Sequence, residues 1–332
     1  HKGWYFHHGG DEISYFELAK SLVNLKPIKM DAFLGYPLFL TPFIYLYKAE
    51  TIENILKPVL IIQAFILFNL SIILVALIAK EITKSKLVAG ITAFLWTFYP
   101  WVLYLLVGRT KDFYLGGIFL THHLWLPALS DSISALFLFL AVYLFLISLR
   151  KQAIEYHIFT AILIGLAALT RPFNGIMTLL FVSIYLYQRK LKNTLYFGLA
   201  VFTILFPQFL YNWVFWKRPL TQWLSLGELG DWFSIKYIGS HLSVILAYAP
   251  YCLFLSVIMI FGFVALYKRN IEKSIFVFYW AISYFIFYGI STYDPFTFLR
   301  YLIPAFPAFF MLLTSSLLPV KVNTFQISNN KE

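Results

Sequence analysis

Seven apolar runs, at residues 59–79, 87–107, 131–149, 195–216, 242–267, 275–293 and 298–318, dominate this chain. A helix rises about 1.5 Å per residue, so each run is long enough to reach across a hydrocarbon core about 30 Å thick. Within lipid the backbone must satisfy its own N–H and C=O groups, and unbroken runs of this length do so as helices. Two shorter runs, 158–170 and 173–188, are separated by Arg171-Pro172 and read as a hairpin of short or tilted helices. The expected fold is therefore all-α: a polytopic integral membrane helical bundle of about nine membrane segments. Composition agrees, because 61% of the 332 residues are hydrophobic and only 12% charged, far from a soluble domain. The lone cysteine, Cys252, excludes an intrachain disulfide and a cysteine-based zinc site.

Charge orients the bundle. Alternate connectors carry Lys80, Lys84 and Lys86, then Arg150 and Lys151, then Arg189, Lys190 and Lys192, then Lys268, Arg269 and Lys273. Basic loops stay in the cytoplasm, which places these four connectors and the tail inside. With Lys321 and Lys331 they hold thirteen of the 26 basic residues but only four of the 15 acids, Glu81, Glu155, Glu272 and Glu332. The acids thus gather outside, where the loops 108–130 and 217–241 are also longest. Chemistry is expected on that face, since long loops supply site residues.

Residues 33–47 are apolar but short for a span and contain Pro37 and Pro42, so they read as an interfacial or re-entrant piece. Three regions follow: an extracytoplasmic loop with interfacial helices at 1–58, a transmembrane helical domain at 59–318, and a disordered cytoplasmic tail at 319–332. Within the first, 13–25 reads as a membrane-surface helix. Ile13, Phe16, Ala19, Leu22 and Val23 share one face, and Ser14, Glu17, Lys20, Ser21 and Asn24 share the other.

Charges near a bilayer are costly and persist where they meet water or have a task. Asp11, Glu12, Asp112, Asp131, Arg171, Asp231, Asp294 and Arg300 all fall at the outer boundary of this topology. Carboxylates can deprotonate a hydroxyl or hold a divalent ion, and arginines bind phosphate bidentately. Structural readings stand beside these: Asp11 and Asp131 as helix caps, Arg171 snorkelling to the interface, Arg300 as an interface anchor. Lys217-Arg218-Pro219 reads as a solvated pair. The neighbours His7-His8 and His122-His123 lack the i, i+4 spacing that puts two imidazoles on one helix face, so they are a weak metal signal.

The order of short motifs carries a resemblance. Asp11-Glu12, with Tyr15 and Leu18-Ala19, is followed by Gly35-Tyr36-Pro37-Leu38 and by Leu129-Ser130-Asp131-Ser132. Then come Gly165-Leu166-Ala167-Ala168-Leu169-Thr170-Arg171-Pro172, Tyr211-Asn212-Trp213 and Arg300-Tyr301-Leu302-Ile303-Pro304-Ala305. This resembles the GT-C superfamily of polyprenyl-phosphate-sugar glycosyltransferases, in particular members like protein O-mannosyltransferases and lipid A aminoarabinose transferases.

That resemblance implies an enzyme taking a sugar from a polyprenyl-phosphate donor to an acceptor hydroxyl on a protein, lipid or glycan, at the extracytoplasmic face of the cell membrane. It places Asp11 on the catalytic carboxylate, Asp131 on the second acidic position, and Arg171 and Arg300 as candidates for the donor phosphate; in the mechanism expected from this set, Glu12 and Asp131 position the acceptor or a divalent cation. The family begins with a helix before the acidic pair, so a preceding helix is expected here. Phosphate departs as an anion and needs neutralisation more than an acid, so one base and two arginines are a sufficient set. The donor arrives through lipid, no glycine-rich phosphate loop is present, and no nucleic acid partner is implied. The competing class is a polytopic transporter or lipid flippase. Such proteins place charges near the bilayer midplane and often repeat their halves.

Overall fold

A computed structural model describes residues 11–30, 32–107, 124–151, 153–217, 237–239, 249–289 and 301–318. They are almost wholly helical, with no strand among them. Two short helices come first, α1 (Asp11–Val23) and α2 (Gly35–Tyr47). At 13 residues, α2 is about 20 Å long, too short to cross. Next, α3 (Glu53–Ile61), a π-helical turn (Ile62–Leu67) and α4 (Phe68–Thr83) form one continuous 31-residue rod. The segment read from sequence as 59–79 therefore starts six residues earlier, inside the stretch assigned to the first loop.

The rest of the bundle is α5 (Lys86–Val107), α6 (Ser130–Lys151), α7 (Ile154–Thr170), a 3-10 turn (Pro172–Gly175), α8 (Ile176–Tyr187) and α9 (Leu191–Trp216). It continues with α10 (Ala249–Tyr267), α11 (Ile271–Gly289), a second 3-10 turn (Ile303–Ala305) and α12 (Phe306–Ser315). Arg171 and Pro172 break the α7–α8 hairpin as their sequence dictates. Proline disfavours helical backbone in the residue before it, and Arg171 is extended at φ −141°, ψ 108°.

Apolar patterning explains each helix's position. α6 is apolar on all sides and sits at the centre against α4 and α7. α9 is peripheral: Leu195, Leu199, Phe202, Phe206, Leu210 and Trp213 recur at three- and four-residue spacing and are exposed, as a lipid-facing stripe should be. Between helices, buried polar groups pair across the bundle. Thr92 and Thr314 hydroxyls lie 2.8 Å apart, and Trp96 Nε1 donates to Ser71 Oγ at 2.9 Å.

The described ends of the basic connectors share one end of the bundle. Arg150 pairs with Glu81 at 3.2 Å, and Lys273 Nζ donates to the Glu81 carbonyl at 2.6 Å. His157 joins Tyr185 at 2.8 Å and Asn193 at 3.1 Å, tying the α6–α7 and α8–α9 connections together. The opposite end gathers the start of α6, the end of α7 and the first two helices.

One departure concerns α1. The helix expected to lie on the membrane surface instead packs on α2 and buries Glu12, Phe16, Leu18, Ala19 and Ser21, while Ile13 is 39% exposed. Its packed face is turned from the expected one because protein, not lipid, covers it. Gly35 lies so close to α7 that a Cβ there would come within 2.6 Å of Thr170 Cα and N. Only glycine fits this approach. Gly35→Ala is expected to destabilise the protein by about 1–3 kcal/mol through overpacking. At Gly198 nothing lies within 4 Å of an added Cβ. There alanine should be neutral or stabilising by about 0.5–1 kcal/mol. Equal thermal shifts for the two variants would contradict this account.

Candidate functional site

The end opposite the basic connectors holds a buried ion pair. Asp131, in the first turn of α6, meets Arg171, in the break after α7, with Nη2 2.6 Å from Oδ1. Their side chains are 9% and 14% exposed. Arg171 Nε donates to Ser130 Oγ at 3.2 Å, and its guanidinium lies over the Tyr301 ring, 4.8 Å from the centroid. Tyr301 stacks in turn on Tyr288 at 5.1 Å. Arg171 is thus neither snorkelling nor solvated, and Asp131 does more than cap a helix. The guanidinium carries five N–H donors in a rigid fork, so an anion can still approach a side chain oriented in this way.

The first two helices reach the same place. The Tyr15 hydroxyl of α1 is 3.3 Å from Ser130 Oγ, and its ring packs edge-on to Tyr36 of α2 at 5.2 Å. Tyr36 donates to Gln63 Oε1 at 2.9 Å. Burial, with the neighbouring Tyr15 hydroxyl and the carboxylates of Glu12 and Asp131, pushes the Tyr36 hydroxyl well above its ordinary range and keeps it a donor. Gln63 lies in the π-helical turn and is fully buried. Its amide donates to Ser132 Oγ and to the Pro127 carbonyl at 3.3 Å. Local π turns recur at functional sites, and this one locks α3–α4 to the segment leading into α6.

The two leading acids part company. Asp11, the first residue of α1, is exposed, while Glu12 is 2% exposed and its Oε1 has no hydrogen-bond partner among the described residues. A buried carboxylate oxygen left this way is costly. No group of three or more His, Cys, Asp or Glu side chains suited to a metal forms among the described residues.

Arg300, Asp112, Asp231, Asp294, Arg218 and the pairs His7-His8 and His122-His123 lie outside the described residues. Sequence reasoning quoted Tyr15, Tyr36, Ser130 and Tyr301 within motifs without giving them roles, and it missed Gln63 altogether. Its signal was available: an amide five residues after Pro58, in an apolar run whose other polar residues are Asn69 and Ser71. Tyr211 and Asn212 prove to be a clamp. The Tyr211 hydroxyl donates to the Ile28 carbonyl at 2.7 Å and accepts from Met30 N at 2.9 Å. Asn212 accepts from Gln208, whose own Oε1 receives Leu34 N at 2.8 Å. Together they hold the α1–α2 connection against α9.

No protein-family profile matches the sequence, and comparison with curated proteins finds no match. Among solved structures the chain is similar to ArnT from Cupriavidus metallidurans bound to undecaprenyl phosphate. The TM-score is 0.62 at 16% identity, over 94% of this chain and 56% of that one. The chain therefore spans a little over half the length of that protein. What the two share is the fold, a polytopic bundle of membrane helices.

Proposed function

We propose that the protein is a membrane glycosyltransferase that moves a sugar from a polyprenyl-phosphate donor to an acceptor hydroxyl, with inversion, on the extracytoplasmic face. The observation that carries this reading is the buried Asp131–Arg171 pair, set beside the acidic start of α1 at the end away from the basic connectors. An arginine held in place near an acceptor-side carboxylate suits a reaction whose leaving group is a phosphate anion. The ArnT structure, whose fold this chain shares, has undecaprenyl phosphate bound.

In the mechanism, Asp11 removes the proton of the acceptor hydroxyl as that oxygen attacks the anomeric carbon in line. The new C–O bond forms while the bond to the donor phosphate breaks, and polyprenyl phosphate leaves with the electron pair. Arg171 and Arg300 neutralise it. Asp11 suits its role because it is reachable from water, whereas buried Glu12, with Asp131, positions the acceptor or a divalent cation.

The test is transfer of radiolabelled sugar from a polyprenyl-phosphate donor by the full-length protein in vesicles. A glycosyl product with inverted anomeric configuration is expected. Movement of donor across the bilayer with no glycosyl product would instead establish the transporter or flippase class.

A further inference from the structure

The opposite, basic end contains a second built site. Two cavities of about 310 Å³ each flank the Glu81–Arg150 pair. One lies between the end of α4, α6, α8 and the start of α11, and the other runs between α4 and α6. Glu81 accepts from Lys84 at 2.6 Å and from Arg150 at 3.2 Å, so its carboxylate is already neutralised. Lys273 and Lys80 line the cavities as well, and neither pairs with a carboxylate among the described residues. Glu272 is the other acid in the lining, which leaves both cavities cationic. Gln188 contributes an amide whose Oε1 is buried and unpartnered.

Below this rim the wall turns apolar, with Leu146, Leu149, Ile184 and Phe276. A free inorganic anion has no use for such a wall, while a lipid does. We infer that this is a binding site for an anionic phospholipid: the headgroup phosphodiester sits among Lys80, Lys84, Arg150 and Lys273, and an acyl chain lies along the apolar wall. Basic pockets between helices at the cytoplasmic side bind such headgroups, and the lipids of that leaflet supply them. The site is separate from the transfer chemistry at the other end, so its test does not depend on that activity.

Native mass spectrometry of the full-length protein, titrated with phosphatidylglycerol or phosphatidylcholine, reads the preference directly. Wild type should retain phosphatidylglycerol at least ~10-fold better, since several cationic contacts to the headgroup are at stake. Lys80→Gln/Lys273→Gln should bring the two lipids within about twofold while leaving the Glu81 pairs intact. Lys190→Gln/Lys192→Gln removes equal charge from the same end outside the cavities and should leave the preference unchanged. If the double cavity variant fails to fold, exposed Lys80→Gln alone should still reduce the preference. Equal losses in both pairs would show a general field with no site, and an unaltered preference in the cavity variant would overturn the proposal. So would displacement of the lipid by millimolar inorganic phosphate.

Discussion

Arg171→Ala is expected to lose both stability and transfer, by about 3–5 kcal/mol and at least ~100-fold respectively. The stability loss comes from Asp131, which is 9% exposed in the pair and would lose its cation. A buried ion pair adds little net stability, yet removing one partner strands a charge in a poorly solvated place. The transfer loss has a different origin, because the departing phosphate loses a fixed positive group that water cannot replace as well. Asp131→Asn/Arg171→Gln separates the two. With both side chains neutral no buried charge is left unpaired, so thermal unfolding should recover much of the loss seen in Arg171→Ala while transfer stays low. Wild-type transfer in that double variant would make the pair purely structural and remove Arg171 from the donor site. Arg171→Lys keeps the charge but loses the fork that spans Asp131 and Ser130, and intermediate transfer is expected.

Substituting the two leading acids should divide stability from chemistry in the opposite way. Asp11→Asn is expected to leave thermal unfolding unchanged, since Asp11 is exposed, and to cut kcat by ~10²–10⁴ through loss of the general base. Glu12→Gln should preserve or raise stability, because an amide is cheaper than a buried carboxylate whose Oε1 is unpartnered. Its effect on transfer should appear mainly in the KM of the acceptor, as befits a positioning residue. Should Glu12→Gln abolish kcat while Asp11→Asn retains it, the roles are exchanged and the buried acid is the base.

Much of this architecture was legible from periodicity and charge. The Arg171-Pro172 break, the four basic connectors sharing an end and the shortness of α2 all follow from local rules about backbone, lipid and length. The face of α1 was not legible, because amphipathic patterning tells which side is apolar but not whether lipid or protein will cover it. Ile13 ended outside and Glu12 inside for that reason. Gln63 was equally hidden, since one amide in a span gains meaning only when Tyr36, Pro127 and Ser132 arrive from distant segments to meet it.

By itself the sequence determined that this chain must be a bundle of membrane helices and that its basic connectors share one end. Those are consequences of what each stretch of backbone needs in lipid. Only the tertiary structure decided that Asp131 and Arg171 form one pair, that Tyr15 and Tyr36 link the first helices to it, and that of two adjacent acids one is buried and one is not. Such pairings depend on helix rotation and close approach, as where Gly35 admits the backbone of Thr170, and these are set by packing between segments far apart in the chain.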